Sequence, residues 1–203
     1  MQKRKFWGWG YQDQVLSNEE DAAIESLIAA HFSLDEVPNL PIPLAEDIDL
    51  PTPRVNIPRT LEKVLSEDHL ERLNHSYGKS FPDLARAMLK QFPHPPDLVA
   101  FPEDQEDVVN ILDWSDQNNI AVIPYGGGSS VCGGVETYVG EDYSGVISLD
   151  LRNLDKILEI DKESRAARIQ AGIFGPALEN ELRKSDLTLR HFPQSFEHST
   201  LGG

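Results

Sequence analysis

A run of three glycines follows a short apolar stretch near the middle of the chain, where residues 120–131 read IAVIPYGGGSSV. Glycine has no Cβ, so the main-chain N–H groups of such a loop can approach an anion closely. Ser129 and Ser130 can add hydroxyl donors, and the loop contains no lysine. The pattern therefore predicts that the loop holds a phosphate group, such as a pyrophosphate, through neutral donors. A flexible surface turn is the alternative that the same glycines allow.

Two widespread phosphate-binding motifs do not account for this loop. The Walker motif requires Gly-x-x-x-x-Gly-Lys-Ser/Thr, which no segment of the chain matches in full. The Rossmann fingerprint requires a further glycine where Val131 stands and a helix directly after it. Residues 133–145 are instead rich in glycine and have no helical periodicity. The loop therefore indicates a different kind of phosphate cradle.

A second segment of small hydroxyl and amide residues closes the sequence. Residues 189–203 read LRHFPQSFEHSTLGG, and residues 170–175 between the two segments read QAGIFG. In this order and spacing, the segments resemble the FAD-binding domain of the vanillyl-alcohol oxidase/p-cresol methylhydroxylase superfamily. The resemblance implies an α+β fold, a PCMH-type FAD-binding domain built from a βαβ unit and a mixed sheet with flanking helices. Some members attach the flavin through a histidine of the first loop; here that loop offers only Ser129, Ser130 and Cys132, so non-covalent FAD is predicted.

Within this superfamily the chain resembles the alkylglycerone-phosphate synthase branch. The segments that carry this resemblance are FWGWG at 6–10, SYGKSFPDL at 76–84, PDLV at 96–99 and HFPQSFE at 191–197. It implies an FAD-dependent enzyme that exchanges the acyl group of acyl-dihydroxyacetone phosphate for a fatty alcohol. Flavin-linked D-2-hydroxy-acid dehydrogenases share the first loop but usually carry Asp-Pro where Gln194 and Ser195 stand, and they remain the alternative. A truncated, non-catalytic flavin-binding module is a third reading.

The resemblance also implies roles for individual residues. The first loop would wrap the pyrophosphate of FAD, and the second segment would contact the ribityl chain and the isoalloxazine edge. The residues expected to bind the cofactor are Pro124, Tyr125, Gly126, Gly127, Gly128, Ser129, Ser130, Val131, Gly172, Pro193, Gln194, Ser195, Phe196, Glu197, His198, Ser199, Thr200, Gly202 and Gly203. His191 stands where the synthases carry a histidine implicated near the active site, and it is the candidate catalytic residue. A strand-end histidine bonded to a carbonyl is the alternative.

The remaining histidines and the composition argue against a metal site, nucleic-acid binding, a disulfide and a transmembrane helix. We expect His75, His94 and the ring of His198 to be surface or packing groups, and the scattered histidines predict no metal site. With 34 acidic and 18 basic residues the net charge is −16, which argues against nucleic-acid binding and leaves a small-molecule or lipid substrate. Cys132 is the one cysteine, so no internal disulfide forms. No apolar run reaches the roughly 18 residues of a transmembrane helix, so the cytoplasm is predicted and a homodimer is left open.

The pattern of apolar residues divides the chain near residue 93. Residues 1–92 are predicted to be a helical N-terminal extension with a proline-rich linker, in which Trp7 and Trp9 pin the terminus onto the domain. Residues 93–203 are predicted to be the FAD-binding domain, incomplete at its C-terminus. We therefore expect a fragment that binds FAD weakly and has no turnover alone. The predicted helices are 17–32, 66–73, 80–92, 103–117 and one opening at 175, and the predicted strands are 97–101, 120–124, 145–151, 156–161, 165–171 and 187–192.

Overall fold

The computed structural model describes residues 4–38 and 40–203, which form a mixed α/β fold around one four-stranded sheet. In chain order the elements are α1 (Asn18–Phe32), β1 (Leu65–Ser66), α2 (His69–Asn74), α3 (Phe81–Met88), β2 (Leu98–Ala100), α4 (Gln105–Gln117), β3 (Ile120–Tyr125), β4 (Gly145–Asp150), β5 (Ile157–Asp161), β6 (Ala166–Ile169) and α5 (Gly175–Arg183). Short 3-10 helices occupy Ala45–Asp47, Arg59–Leu61 and Phe196–His198.

The sheet has the strand order β1-β2-β4-β3, with β2, β4 and β3 parallel and β1 antiparallel at the edge. The predicted βαβ unit is present as β2, α4 and β3, but β4 lies between its two strands. Every residue of β2 and β4 is buried, as expected for parallel strands covered on both faces. Side chains of the sheet and of α4 therefore form the main core, with Leu98, Ile111 and Ile147 fully buried at its centre.

The segments before residue 93 are attached to this sheet. β1 pairs with β2 in the register Leu65↔Ala100, so the sheet extends across the predicted domain boundary, which itself stays a prediction. The buried Asp97 carboxylate binds the proline-rich linker to the strands: it accepts hydrogen bonds from the main chain of Arg54 (2.7 Å) and of Val146 (2.7 Å). The linker is thus held at Arg54 to the amino ends of the two inner strands, β2 and β4.

The first helix is capped as predicted but packs on little. Ser17 and Glu20 form the reciprocal capping box of α1. No residue of α1 is buried, and Leu27 and Phe32 are 70% and 66% exposed. The spacing of its apolar residues predicted the helix correctly, but these residues are exposed in the structure. No helix among the described residues is long and apolar enough to cross a membrane.

The predicted strand at 187–192 is wrong, because this segment is irregular. Asp186 and Arg190 both adopt the left-handed conformation, with φ of 58° and 57°, which breaks an extended strand at either end. The N–H of Leu187 closes the end of α5 on the carbonyl of Leu182. The Glu179 carboxylate accepts the N–H of Leu189 at 3.0 Å. This segment therefore forms hydrogen bonds with α5 and does not pair with another strand.

Candidate cofactor-binding site

The glycine run begins at the carboxyl edge of the parallel sheet. Tyr125 and Asp150 are the last, paired residues of β3 and β4, and the N–H of Leu151 donates to the Tyr125 carbonyl at 3.1 Å. The loop formed by residues 126–131, called the glycine loop below, leaves the sheet at this point. Ligands of open α/β sheets bind at the carboxyl ends of the strands. The sheet therefore places the loop where a ligand is expected.

The second predicted segment lies directly on the glycine loop. A Cβ added to Gly127 would overlap the carbonyl oxygen of His198, and Gly128 has a φ of +68°, so both positions require glycine. The hydroxyl oxygens of Ser129 and Ser199 are 3.2 Å apart. Gly127 and Gly128 are buried, so the run is packed against residues 198–200.

The glycine loop has donors to offer an anion. Among the described residues, none of the main-chain N–H groups of 126–131 donates a hydrogen bond to the protein. The loop carbonyls, in contrast, are engaged: that of Gly127 by Arg4 and that of Ser130 by the N–H of Lys79. The hydroxyl of Thr200, beside Gly126, is buried without a hydrogen-bond partner, an arrangement that costs free energy unless a ligand completes it. These residues fit a bound pyrophosphate.

The other candidate residues divide into packed and exposed groups. The space where a Cβ of Gly172 would stand is filled by the Leu151 carbonyl, and Gly202 stands against Ala171 in the same way. Gly203 lies beside Thr200. Three further candidates lie in or just before the 3-10 helix at 196–198. The Phe196 ring packs on Gly175, and Gln194 and Glu197 are exposed. Pro193 and Ser195 are half-buried, and Ser195 bonds to Ser199 at 2.7 Å.

His191, the candidate catalytic residue, lies outside this arrangement. Its side chain is exposed and makes no hydrogen bond or ion pair with residues 4–38 or 40–203. Neither alternative given for it above is therefore supported by a contact, and its catalytic role stays a prediction.

A cavity of about 520 Å³ opens beside Gly126. Its walls come from the N-terminal residues 4–11, from α2, and from the carboxyl ends of β3 and β4. The ionisable side chains that line it are Arg4, Lys5, Glu71, His75, Lys79, Asp150 and Arg152. None of these residues was predicted from the sequence as a site residue.

A buried ionic network forms the floor of the cavity. The Nε2 of His75 is 2.9 Å from the Asp150 carboxylate, which Arg152 also binds, at 2.5 Å. Burial disfavours the charged carboxylate, but the hydrogen bonds from His75 and Arg152 outweigh it and lower the pKa of Asp150. Burial raises the pKa of the neighbouring Tyr125 hydroxyl to about 12, and this hydroxyl donates to the carbonyl of Asn74 at 3.0 Å. His75 is therefore a fully buried packing residue inside a polar network.

The N-terminal arm, residues 4–14, folds back over the glycine loop. A β-bridge joins Arg4 to Tyr11, and the buried Phe6 packs edge-on against Phe92 at 6.0 Å between ring centroids. Trp7 packs against the same cluster, as expected for an aromatic that pins the terminus. The rings of Trp9 and Tyr11 lie 5.7 and 5.9 Å from that of His198.

Comparison with known proteins identifies a family and several relatives of this chain. The profile of the family described as FAD binding domain matches residues 96–203. Alkyldihydroxyacetonephosphate synthase of Dictyostelium discoideum is 38% identical over 97% of this chain and 31% of its own length. A solved structure of alkyldihydroxyacetonephosphate synthase superposes with a TM-score of 0.82, at 32% identity, over 98% of this chain and 42% of that one. A glycolate oxidase subunit of Bacillus subtilis is 28% identical over 56% of this chain and 23% of its own length. The chain thus spans about a third of the synthase relative.

Proposed function

Because the chain belongs to the FAD-binding domain family, whose cofactor is FAD, we propose that the protein carrying it is an alkyldihydroxyacetonephosphate synthase. In the proposed reaction, acyl-dihydroxyacetone phosphate and a long-chain alcohol give alkyl-dihydroxyacetone phosphate and a fatty acid. The C–O bond to the acyl group breaks, a C–O bond to the alkyl group forms, and the acyl group leaves as the fatty acid, which takes up the proton of the alcohol. FAD, when bound, supplies an electron-accepting ring system for this exchange.

The extent of the similarity carries this proposal. The synthase relative aligns with 97% of the chain, and the glycolate oxidase subunit aligns with 56%. Two further synthases align with 76% and 98% of the chain. The synthase similarity therefore takes in nearly all of the chain, and the glycolate oxidase similarity takes in little more than half of it.

Within this function, the residues of the chain would hold and orient the cofactor. The glycine loop would bind the pyrophosphate through its free N–H groups, assisted by the hydroxyls of Ser129 and Thr200. The packed contact between Gly127 and His198 would fix the second segment at the flavin end of the site. FAD would be held without a covalent bond, which is tested by asking whether denaturation releases all the yellow colour from the protein.

The reaction can be tested on the complete purified protein that carries this chain. Incubation with palmitoyl-dihydroxyacetone phosphate and deuterated hexadecanol should give labelled alkyl-dihydroxyacetone phosphate by mass spectrometry. The matched control is Lys184→Met, an exposed residue directly after α5, which should leave the yield unchanged.

The same preparation separates the alternatives. Anaerobic D-lactate or glycolate should leave the flavin absorbance intact if the synthase proposal is right. Bleaching without labelled product would refute it in favour of a hydroxy-acid dehydrogenase. Bound flavin with neither reaction would indicate a non-catalytic flavin-binding module.

The cellular compartment and the oligomeric state are also part of the proposal. A reducing compartment such as the cytoplasm is favoured because Cys132 is an exposed free thiol. Cell fractionation would test it. A homodimer is proposed as the assembly, and light scattering of the complete protein would test that.

A further inference from the structure

Two cations beside the glycine loop have no acidic partner. Among the described residues, neither Arg4 nor Lys79 forms an ion pair with a carboxylate. Of the other two basic residues that line the cavity, Arg152 is bound by Asp150, and Lys5 donates through its ammonium to the exposed carbonyl of Gln14. In a chain with a net charge of −16, two neighbouring cations without counter-ions are unusual. An anionic ligand bound beside both cations would supply the missing negative charge.

Lys79 joins the glycine loop to the arm. Its main-chain N–H donates to the Ser130 carbonyl at 2.6 Å, and its ammonium donates to the carbonyls of Lys5 at 3.0 Å and Phe6 at 3.5 Å, which leaves one ammonium N–H free. An ammonium has three N–H donors, and neutral carbonyls do not balance its charge. The acidic group that acts on it electrostatically is Asp83, whose carboxylate is already bound by Arg86 at 2.8 Å. Lys79 is thus a largely buried cation with spare donor capacity.

Arg4 approaches the loop from the arm. Its guanidinium binds the carbonyl of Gly127 and lies 4.9 Å from the centre of the Phe174 ring. Arg4 and Lys79 act on each other electrostatically, and both line the cavity that Gly126 also lines. Holding two like charges together costs free energy that a phosphate placed beside both would recover.

We infer that Arg4 and Lys79 form a phosphate-binding site with the free N–H groups of the glycine loop, so that the N-terminal arm is part of the ligand site. Two sources of phosphate share this chemistry: the pyrophosphate of FAD and the phosphate of the dihydroxyacetone phosphate substrate. Only the second source rests on the proposed function. Residues 126–131 alone predict a phosphate site made of neutral donors. In the inferred site, Arg4 and Lys79, which are distant from this loop in sequence, add positive charge to those donors.

The test compares Lys79→Met and Arg4→Met with the exposed, ion-paired control Lys184→Met in the complete protein. Dissociation constants for FAD are measured by flavin fluorescence, and those for dihydroxyacetone phosphate by perturbation of the flavin spectrum of the holoprotein. Loss of one charged hydrogen bond to phosphate should weaken binding by roughly ten- to a hundredfold. Lys79→Arg keeps the charge and should recover most of the loss.

The two sources give different results. Weaker FAD binding with an unchanged dissociation constant for dihydroxyacetone phosphate assigns the site to the pyrophosphate. The reverse assigns it to the substrate phosphate. If both constants equal those of the Lys184→Met control in both variants, Arg4 and Lys79 only fasten the arm and the inference is overturned. Arg4→Met decides the matter if Lys79→Met does not fold, because Arg4 is only half-buried. These binding constants do not depend on synthase turnover, so a failed activity assay would not be confused with a failed inference.

Discussion

The stability of the FAD-free protein should rise with pH because of Lys79. Burial, with a smaller effect of Arg4, lowers the pKa of this ammonium from 10.5 to about 8. The unfolded chain keeps the ordinary value, so between pH 8 and 10.5 the unfolded state binds more protons than the folded state. Stability therefore increases with pH across this window and is lowest where Lys79 is charged in both states.

The magnitude follows from the two pKa values. At about 1.4 kcal/mol for each pH unit, the protonated ammonium is disfavoured by roughly 3 kcal/mol in the folded state. Integrating the linkage from pH 7 to pH 9.5 gives a gain of about 2 kcal/mol in the free energy of unfolding. The groups that face Lys79 are Arg4, Asp83 and the imidazole of His198, whose own pKa is lowered by burial and by Arg4. His198 is therefore neutral throughout this range and adds no slope.

The assay is urea unfolding of wild type and Lys79→Met, followed by tryptophan fluorescence at several pH values in the absence of FAD. The difference between the two curves removes the titration of all other lysines and tyrosines, and it should widen by about 2 kcal/mol in favour of wild type. Saturating FAD should abolish the widening if its phosphate supplies the missing counter-charge. Parallel curves in the FAD-free protein would refute the reasoning, because Lys79 would then be solvated and would not need a ligand.

Three further changes test the packing of the site and its support. Gly127→Ala should lower both the melting temperature and FAD affinity, because the new Cβ overlaps a carbonyl, whereas Gly8→Ala meets only an ordinary contact at 3.8 Å and should change neither. Thr200→Val removes a buried hydroxyl without a partner, so calorimetry should show unchanged or higher apo stability while FAD binds more weakly. Asp97→Ala should cost about 2–4 kcal/mol in urea unfolding, since it leaves buried main-chain donors unpaired. Asp47→Ala, which breaks an exposed ion pair, should cost less than about 1 kcal/mol.

Local patterns predicted most of the elements and the two segments that meet at the site. Ser17 and Ser80 begin helices because their caps are contained within four residues of sequence. The glycine loop could be located because a buried strand precedes it directly. The predicted strand at 187–192 is wrong because its apolar residues find no sheet partner, and pairing is not encoded in a single segment.

The charged part of the site could not be predicted in the same way. Arg4, Lys79 and Asp150 lie far apart in sequence, and only the return of the arm and the pairing of β3 with β4 bring them to one cavity. A local signal did exist: Gly78, Lys79 and Ser80 match the last three positions of a Walker motif whose first glycine is replaced by Leu73. The tertiary fold places this lysine against a different glycine loop, where its main chain binds Ser130.

The position of Lys79 also indicates why the arm is held in place before any ligand binds. Phe6 anchors the arm in an aromatic cluster, and the carbonyl of Lys5 then receives the ammonium, so the cation is fixed at the cavity by apolar packing. Fixing the cation before binding reduces the entropy that a ligand must remove, because neither the arm nor the side chain has to become ordered. The cost is the unfavourable burial of the ammonium in the free protein. A residue that lowers the stability of the free protein in this way is better explained by what it binds than by the fold it supports.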